Sequence, residues 1–416
     1  SGGLDSATIV GLMSKLTDKK IHTFNISFGN EGNYIDESIL AKKVASKFNC
    51  KHHEVKIASN EFKNNFEEFI KAIDQPSGDG INSFLVSKFT AKHVSVALSG
   101  LGGDEVFLGY RYFQDLKKLQ NFQNSKIKNK FLPAISQLYK NNKYFRSFAY
   151  RAKLDFLKFW PAQKDEFYFN SRTLFTEEEK QQLLSSLESF DYAQDEREGK
   201  AVHSAGILRS QDEYEMFNFC LDSSLDLTNS VIKNKKISLV LSEVEGYEHS
   251  IKQIKNIFNA EKDELNAFSK AELSWYTPGM LLRDCDSTSM FSTLEVRVPF
   301  LDHKLVEFLL TVPSEFKIQN NQKINKPLLA NLFDDLLPAE ILTYPKHGFE
   351  MPIGFWLKEK FSQELNDLKT VSWLNKNHVE FLLNQFNQNP RDYLKVWSLL
   401  VLNNWLRQNE IKVTSV

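Results

Sequence analysis

Strand-like and helix-like segments alternate over about the first 115 residues, and this alternation limits the fold more than any other feature of the sequence. Apolar segments with strand character cover residues 21–28, 52–57 and 94–100. Segments with the spacing of helices packed on a sheet cover residues 7–16, 35–48 and 61–73. Strands that alternate with helices predict an α/β fold built on a doubly wound parallel sheet, with the strand at 94–100 buried in it.

The sequence begins with a glycine-rich segment, SGGLDS, directly before the first helical segment. Gly2 and Gly3 let the backbone come close to a ligand, and the start of the helix offers free N–H groups to an anion. Asp5 would repel a phosphate unless a cation lies between them, and Mg²⁺ prefers such a combination of carboxylate and phosphate oxygens. Taken alone, these six residues fit a tight turn with a capping Asp or Ser equally well.

A second glycine-rich segment, LSGLGGDEVFLGY at residues 98–110, repeats the Ser-Gly opening and again places an aspartate, Asp104, after a glycine pair. Because ligands of doubly wound sheets bind at the carboxyl ends of the strands, both segments are expected at that edge. Asp5 and Asp104 would then hold Mg²⁺ and a polyphosphate between two strand ends. Glu105 is expected to cap the helix that follows.

The length of 416 residues and the change in composition along the chain predict three regions. The first is a nucleotide-binding core at residues 1–115. It is followed by a mostly helical insertion at residues 116–270 and by a helical region at residues 271–416 that packs with the core.

The bulk properties exclude several classes of protein. A net charge of −1 argues against nucleic acid as the main partner. The three cysteines, Cys50, Cys220 and Cys285, lack the spacing of a zinc site or a disulfide framework. No apolar run is long enough to span a membrane and no signal peptide is evident, so we expect a soluble, cytoplasmic protein without a membrane partner.

Several motifs together resemble a known family. SGGLDS resembles the pyrophosphatase signature of the PP-loop ATP enzymes, which cleave ATP between its α- and β-phosphates. Residues 98–110, 288–308 (TSMFSTLEVRVPFLDHKLVEF) and 336–357 complete a resemblance to the synthetase domain of the asparagine synthase family. This resemblance extends over residues 1–405 and implies a sheet of the PP-loop type (adenine nucleotide alpha hydrolase-like), followed by a largely α-helical region.

The resemblance implies an AMP-forming amide ligase that uses ATP and Mg²⁺. A substrate carboxylate, taken to be the side chain of aspartate, attacks the α-phosphate of ATP and releases pyrophosphate. Ammonia then displaces AMP from the acyl-adenylate to give the amide. The implied partners are therefore small molecules.

The resemblance also implies roles for individual residues. Lys326 matches the catalytic lysine that neutralises phosphate charge, with Lys323 as the alternative. Asp104 is expected to be catalytic and, together with Asp5, to bind magnesium. The other nucleotide contacts are expected from Ser1, Gly2, Gly3, Leu4, Ser6, Ile26, Ser99, Gly100 and Gly102.

Two pairs of charged residues near the C-terminal motifs are expected to be structural. Glu295 and Arg297 would form a buried ion pair that supports the site, because buried charges need partners. Asp302 and His303 would belong to the cap of a helix.

Some residues depart from the family pattern. Leu101 stands where members that use aspartate carry an acidic residue, and a leucine cannot make the same polar contact. Ser287, Ala330 and Tyr344 stand where basic residues are common. Three hypotheses therefore stay open: asparagine formation, an amidotransferase or cyclase that adenylates another carboxylate, and a catalytically degenerate ATP-binding module. A role in tRNA modification fits least, because the chain has no basic excess.

Relatives that use glutamine carry an N-terminal glutaminase domain with a terminal cysteine, and this sequence contains no such domain. We therefore expect a fragment of a longer protein in which a glutaminase domain supplies ammonia from glutamine. The strand that would deliver SGGLDS is also absent, which predicts a gap in the sheet and a weakly anchored Ser1. A homodimer is an assembly that the sequence leaves open.

Overall fold

The computed structural model describes residues 2–28, 37–123, 168, 172, 174–175, 177–184, 242–319, 324–344 and 351–411. Within these ranges the protein has a mixed α/β structure in which helices predominate and the strands form small parallel sheets. Ser1, Cys220 and Lys323, which were considered above, lie outside the described residues.

Helices and strands alternate in the first part of the chain, as the sequence predicts. The strands are β1 (His22–Ser27), β2 (Lys51–Lys56) and β3 (Val96–Leu98). The helices are α1 (Leu4–Leu16), α2 (Ser38–Lys47), α3 (Ser59–Ala72), α4 (Ile81–Thr90), α5 (Gly103–Val106) and α6 (Arg111–Gln123). Each predicted segment therefore has the expected type, with bounds that differ by a few residues.

The described part of the later chain is helical apart from one strand, β4 (Glu295–Arg297). The α-helices are α7 (Glu177–Leu184), α8 (Ser242–Ala260), α9 (Glu264–Ala271), α10 (Arg283–Phe291), α11 (His303–Thr311), α12 (Ser314–Lys317), α13 (Pro327–Leu332), α14 (Ala339–Thr343), α15 (Ile353–Lys360), α16 (Ser362–Asp367), α17 (Lys376–Gln388) and α18 (Leu394–Gln408). Short 3₁₀ turns cover Pro299–Leu301 and Leu368–Thr370. A π-helix, Glu272–Leu282, joins α9 to α10 and contains Pro278, which has no N–H to donate to an ordinary helical hydrogen bond.

The strands pair in parallel, as expected, but they form two separate sheets. β1 pairs with β2 in a register that runs from His22 opposite Lys51 to Ser27 opposite Lys56. β3 pairs with β4 in a register that runs from Val96 opposite Glu295 to Leu98 opposite Arg297. A continuous doubly wound sheet is therefore not what the described residues form.

The expectation that the strand around residues 94–100 is buried is wrong. Val96 is 41% exposed and Leu98 is 40% exposed. Their side chains point to the same side of the strand because successive side chains alternate. The described elements leave that side open, so the apolar character of this strand is not explained by core packing in the described structure.

One hydrophobic core joins the first part of the chain to its last helices. Phe62 and Phe69 of α3, Trp356 of α15 and Trp397 of α18 are all fully buried in it. The ring centres of Phe62 and Trp356 are 5.0 Å apart, and those of Phe62 and Trp397 are 5.7 Å apart. The α/β part and the C-terminal helices therefore depend on each other for burial of their aromatic residues.

A smaller core lies under the two glycine-rich segments. Ile9 of α1, Val106 of α5, Phe300 of the first 3₁₀ turn, Leu309 of α11 and Leu329 of α13 pack together there. This core fixes the starts of α1, α5 and α13 relative to one another, which is what the candidate site requires.

None of the described helices combines the length and the apolar composition that crossing a lipid bilayer requires.

Candidate active site

Three of the residues singled out in the sequence meet at one point. Lys326 Nζ lies 2.6 Å from Asp5 Oδ1 and 2.7 Å from Asp104 Oδ1. Asp5 is in the first turn of α1, Asp104 is in α5, and Lys326 is the residue that precedes α13. The structure therefore brings the two predicted magnesium ligands and the predicted catalytic lysine into a single cluster, which we call the Lys326 site.

The two carboxylates keep Lys326 charged. Its side chain is 1% exposed, and burial alone would lower the pKa of its ammonium. Asp104 and Asp5 outweigh burial and raise the pKa of Lys326 above its usual value. The lysine is therefore a fixed positive charge at neutral pH.

The backbone at Lys326 is unusual as well. Its φ of +48° lies in the left-handed region, which costs a non-glycine residue on the order of 1 kcal/mol or more. Pro327, which favours the first position of a helix, follows directly. A strained residue held between two acids is typical of a site whose geometry is kept for function.

Glycines make room for this cluster. A β-carbon at Gly103 would lie 2.6 Å from Asp5 Oδ1, and one at Gly109 would lie 2.1 Å from both Asp104 Oδ1 and Lys326 Cε. A β-carbon at Gly100 would lie 2.9 Å from that of Asp5. Gly102 has a φ of +93°, which favours glycine for conformational reasons. Sequence reasoning missed Gly103 and Gly109, although both lie within the second glycine-rich segment.

The other residues of the first glycine-rich segment that are predicted to contact the nucleotide lie in different surroundings. Gly3 directly precedes α1, and Leu4 and Ser6 are half-buried in its first turn. Gly2 is buried against the start of α2, where a β-carbon would lie 2.6 Å from that of Leu40. Its small size therefore serves helix packing in this structure.

The remaining predicted nucleotide contacts lie on β1 and beside β3. Ile26 is 3% exposed and belongs to the main hydrophobic core. Ser99 is half-buried, its N–H donates to the carbonyl of Arg297, and its hydroxyl accepts from the N–H of Leu101. Leu101 itself is half-buried on the segment that carries Asp104.

The Lys326 site fits Mg²⁺ that arrives with a nucleotide. Asp5 and Asp104 already converge on one cation, and Gly103 and Gly109 allow the backbone to approach the two carboxylates more closely than a residue with a β-carbon could. Among the described residues, no group of three or more His, Cys, Asp or Glu side chains is arranged to hold a metal. Mg²⁺ is commonly held by one or two carboxylates together with substrate phosphates, so two acids are sufficient for that role.

Glu105 does not cap the helix after the second glycine-rich segment, as was expected. It lies inside α5, is 1% exposed, and its carboxylate accepts a 2.5 Å hydrogen bond from the Tyr110 hydroxyl. Its carbonyl accepts from the Ser269 hydroxyl at 2.8 Å. Burial, reinforced by the neighbouring charge of Asp104, raises the pKa of Glu105 to about 7.

A buried ion pair that the sequence did not reveal lies behind Glu105. Arg172 Nε donates to Glu272 Oε1 at 2.9 Å, and the Tyr112 hydroxyl donates to the same oxygen at 2.6 Å. The Arg172 guanidinium carbon lies 3.8 Å from the ring centre of Tyr276 and 4.9 Å from that of Tyr110. No local pattern pairs residues 100 positions apart, so only the folded structure shows this contact.

Of the two pairs of charged residues that were expected to be structural, one prediction is wrong and the other is confirmed. Arg297 Nε does contact Glu295 Oε1 at 2.8 Å, but the side chains are 63% and 54% exposed, so the expected buried pair is wrong. Both residues lie on β4, whose pairing with β3 leaves them at the surface, where such pairs contribute little. The cap is confirmed, since the Asp302 carboxylate accepts from the N–H groups of Lys304 and Leu305 at the start of α11.

A second acidic cluster lies between the segment before α4 and the start of α10. The Ser77 hydroxyl donates to Asp284, and the Arg283 guanidinium contacts the same carboxylate at 2.8 Å. Burial and the charge of Asp284 raise the pKa of the nearby Asp79 carboxyl to about 6. One helical turn after Asp284 lies Ser287, a departure from the family pattern, whose buried hydroxyl has no hydrogen-bond partner among the described residues.

Comparisons with known proteins agree with the motifs. The sequence model of the family described as asparagine synthase matches residues 1–407. Asparagine synthetase [glutamine-hydrolyzing] 1 of Bacillus subtilis is 25% identical over 417 aligned residues, which cover 97% of this chain and 55% of that protein. A putative asparagine synthetase of Mycobacterium bovis is 24% identical over 86% of this chain and 45% of its own length.

A shorter match has higher identity. Putative asparagine synthetase [glutamine-hydrolyzing] 2 of Methanocaldococcus jannaschii is 38% identical over 159 residues, which cover 35% of this chain and 30% of that protein. The chain thus spans about half the length, or less, of these relatives.

Proposed function

Because the chain belongs to the asparagine synthase family, we propose that it carries the AMP-forming amide ligase activity of an asparagine synthetase. It adenylates the side-chain carboxylate of aspartate with ATP, releases pyrophosphate, and lets ammonia displace AMP to give asparagine. The observation that carries this proposal is the Lys326 site, where a buried lysine and two aspartates meet beside two glycine-rich segments.

The residues of the Lys326 site divide the work of adenylation. The fixed charge of Lys326 stabilises the negative charge that builds up on the α-phosphate and on the departing pyrophosphate. The positive end of the helix dipole of α1, which spans 13 residues, favours phosphate oxygens at its N-terminus. Gly100 and Gly103 let the second glycine-rich segment lie directly against the Asp5 side chain, because a β-carbon at either position would collide with it.

Asp5 and Asp104 would hold Mg²⁺, which when bound neutralises phosphate charge and orients the pyrophosphate leaving group. Their convergence on the ammonium of Lys326 supports this assignment, because it shows that both carboxylates can face one cation. For the glycine-rich segment SGGLDS, which ends in Asp5 and Ser6, we correspondingly propose the role of a PP-loop, which is to bind the pyrophosphate part of ATP.

Ammonia would come from glutamine through a glutaminase domain of the whole protein. This part of the proposal is supported by relatives whose names include glutamine hydrolysis and which are about twice as long as this chain. Action in the cytoplasm, the absence of a nucleic-acid partner and assembly into a homodimer remain predictions from the sequence.

A second candidate is an amidotransferase or cyclase that adenylates a different carboxylate. The observation that favours it is Leu101, an apolar residue on the short segment between Ser99 and Asp104. A leucine there removes a polar contact that an aspartate-using member would have, so the acceptor carboxylate could carry an apolar group at that position.

Pyrophosphate release distinguishes these candidates. The protein would be incubated with ATP, Mg²⁺, ammonium chloride and either aspartate or one of a panel of other carboxylic acids. We expect release that depends on aspartate, with asparagine and AMP detected by mass spectrometry. Release with another acid alone would favour the second candidate, and ATP binding without release for any acid would overturn the ligase proposal.

A pair of variants links the activity to the site. Lys326→Gln is expected to lower the rate of pyrophosphate release by roughly a hundredfold or more, the usual effect of losing a charge-stabilising group. Lys304→Gln removes an exposed lysine at the start of α11 and is expected to leave the rate unchanged.

A further inference from the structure

A continuous set of contacts between half-buried and buried side chains connects Arg172 with the segment that carries Asp104. Arg172 lies against the ring of Tyr110, with its guanidinium carbon 4.9 Å from the ring centre. The Tyr110 hydroxyl donates to Glu105, and Glu105 directly follows Asp104 in α5. The contacts of Arg172 therefore reach within one residue of the Lys326 site.

Arg172 is itself firmly held. Its guanidinium is bonded to the fully buried Glu272 and lies 3.8 Å from the ring centre of Tyr276. Both of those residues belong to the π-helix, a rare helix type that is frequently found at functional sites. A planar guanidinium in a buried ion pair and against aromatic rings has little freedom to move.

The segment around Asp104 needs such support. α5 contains only four residues, which is too short to be stable by itself. Gly102 and Leu108, at either side of α5, both have positive φ, and Gly103 and Gly109 add backbone freedom. Two hydrogen bonds restrict the movement of this segment. The hydroxyl of Tyr110 donates to the carboxylate of Glu105, and the hydroxyl of Ser269 donates to its carbonyl.

We propose that Tyr110 and Arg172 are positioning residues for Asp104, and that they hold its carboxylate where it shares one cation with Asp5. Arg172 acts through the ring of Tyr110, and Tyr110 acts through Glu105. This inference rests on the proposed function, because the shared cation is Mg²⁺ bound with ATP. It assigns to Arg172, a residue of the middle third of the chain, a role in metal affinity.

Metal binding tests this role without relying on turnover. Mn²⁺ would replace Mg²⁺, and its binding to the full chain in the presence of ATP would be followed by electron paramagnetic resonance. Tyr110→Phe keeps the ring and removes the hydroxyl that donates to Glu105. Arg172→Lys keeps the charge and removes the planar stacking. We expect each variant to raise the dissociation constant of Mn²⁺ about tenfold.

Thr288→Val is the control for loss of a buried hydrogen bond away from this set of contacts. Thr288 is fully buried, and its hydroxyl donates to the carbonyl of Asp284 at 2.6 Å. Losing that bond should lower the melting temperature about as much as Tyr110→Phe does, without changing Mn²⁺ affinity. In pyrophosphate release, the Tyr110 and Arg172 variants should raise the Mg²⁺ concentration for half-maximal rate, whereas the KM for the acceptor should stay within twofold.

The outcomes separate the two proposals. If the wild-type protein binds Mn²⁺ with ATP and both folded variants keep its dissociation constant within twofold, the positioning role is wrong and the ligase proposal stands. If Arg172→Lys does not fold, the result for Tyr110→Phe decides alone. Wild-type protein that neither binds Mn²⁺ with ATP nor releases pyrophosphate would overturn the proposed function, and this inference with it.

Discussion

Lys326 Nζ lies 2.6 Å from Asp5 Oδ1, although 321 positions separate the two residues in the chain. The same ammonium contacts Asp104, so the lysine occupies the point at which the two carboxylates would share a metal ion. The single positive charge of the lysine therefore offsets part of the negative charge of the two acids. Under the proposed function, Mg²⁺ would become the partner of the two acids, and the phosphates of ATP would become the partner of the ammonium.

Removing this ammonium should change metal affinity before any chemistry takes place. We expect Lys326→Gln to bind Mn²⁺ without nucleotide about tenfold more tightly than the wild type, because two neighbouring carboxylates lose their internal cation. Electron paramagnetic resonance of free Mn²⁺ gives the dissociation constant. The control is Lys317→Gln, which removes a buried lysine that contacts Asn266 away from the site. Equal affinities of Lys326→Gln and wild type would contradict this prediction.

Asp104→Asn should abolish Mg²⁺-dependent pyrophosphate release and leave the fold intact. Asn keeps the size of the side chain but lacks the charge that a metal ligand supplies, and Lys326 still has Asp5 as a partner. We expect a loss of roughly a hundredfold or more in rate, measured in a coupled pyrophosphate assay, with an unchanged circular dichroism spectrum. Asp302→Asn is the matched control, since Asn caps helices as well as Asp does. Turnover that survives in Asp104→Asn would refute the two-carboxylate site.

Gly103→Ala should disable the site through a single methyl group. The new β-carbon would lie 2.6 Å from Asp5 Oδ1, so the carboxylate has to move away from Lys326. We expect a loss of Mn²⁺ binding in the presence of ATP together with a lower melting temperature. At Gly80, the nearest atom to an added β-carbon is 3.4 Å away, so Gly80→Ala should be tolerated. A Gly103→Ala protein with wild-type Mn²⁺ affinity would show that the space beside Asp5 is not needed.

Lys317 should make stability depend on pH. Burial lowers the pKa of its ammonium to about 8, against a usual value of about 10.4, with Asp263 opposing the shift. The folded state therefore binds fewer protons than the unfolded state between these values, and stability rises with pH across that range. Relative to Lys317→Met, the wild type should gain about 3 kcal/mol in unfolding free energy between pH 7.5 and pH 10.5.

Urea unfolding of both proteins at the two pH values measures this difference. Other groups that titrate in this range are common to both proteins, so they cancel in the comparison. If the unfolding free energies of wild type and Lys317→Met change by the same amount between the two pH values, Lys317 keeps its usual pKa in the folded protein.

The sequence was most informative where local patterns decide the structure. The apolar segments at residues 21–28 and 52–57 became β1 and β2 because strand propensity and alternation are local properties. The glycine pairs next to Asp5 and Asp104 also carry a local physical reason, namely close approach of backbone to other atoms. Lys326 was found only through family resemblance, since nothing in its immediate sequence distinguishes it from a surface lysine.

Prediction failed where the outcome depends on residues distant in sequence. Glu295 and Arg297 form a pair that local reasoning can propose, but whether that pair is buried depends on what covers β4. The burial of Glu272 and its partner Arg172 is likewise set by tertiary packing alone. The exposure of Val96 and Leu98 shows the same limit for an apolar strand.

The aromatic core that joins α3 to the last helices has a consequence for how the protein is made. The indole N–H of Trp405 donates to the carbonyl of Ile73, 332 positions earlier in the chain. During synthesis, α3 leaves the ribosome long before α18 has been made. Phe62 and Phe69 therefore lack their contacts with Trp397 until α18 emerges. Contacts of such long sequence separation form slowly and leave apolar surface exposed meanwhile. The part of the chain that contains α3 is thus expected to reach its packed state only after α18 has left the ribosome, and chaperones would protect its apolar surface until then.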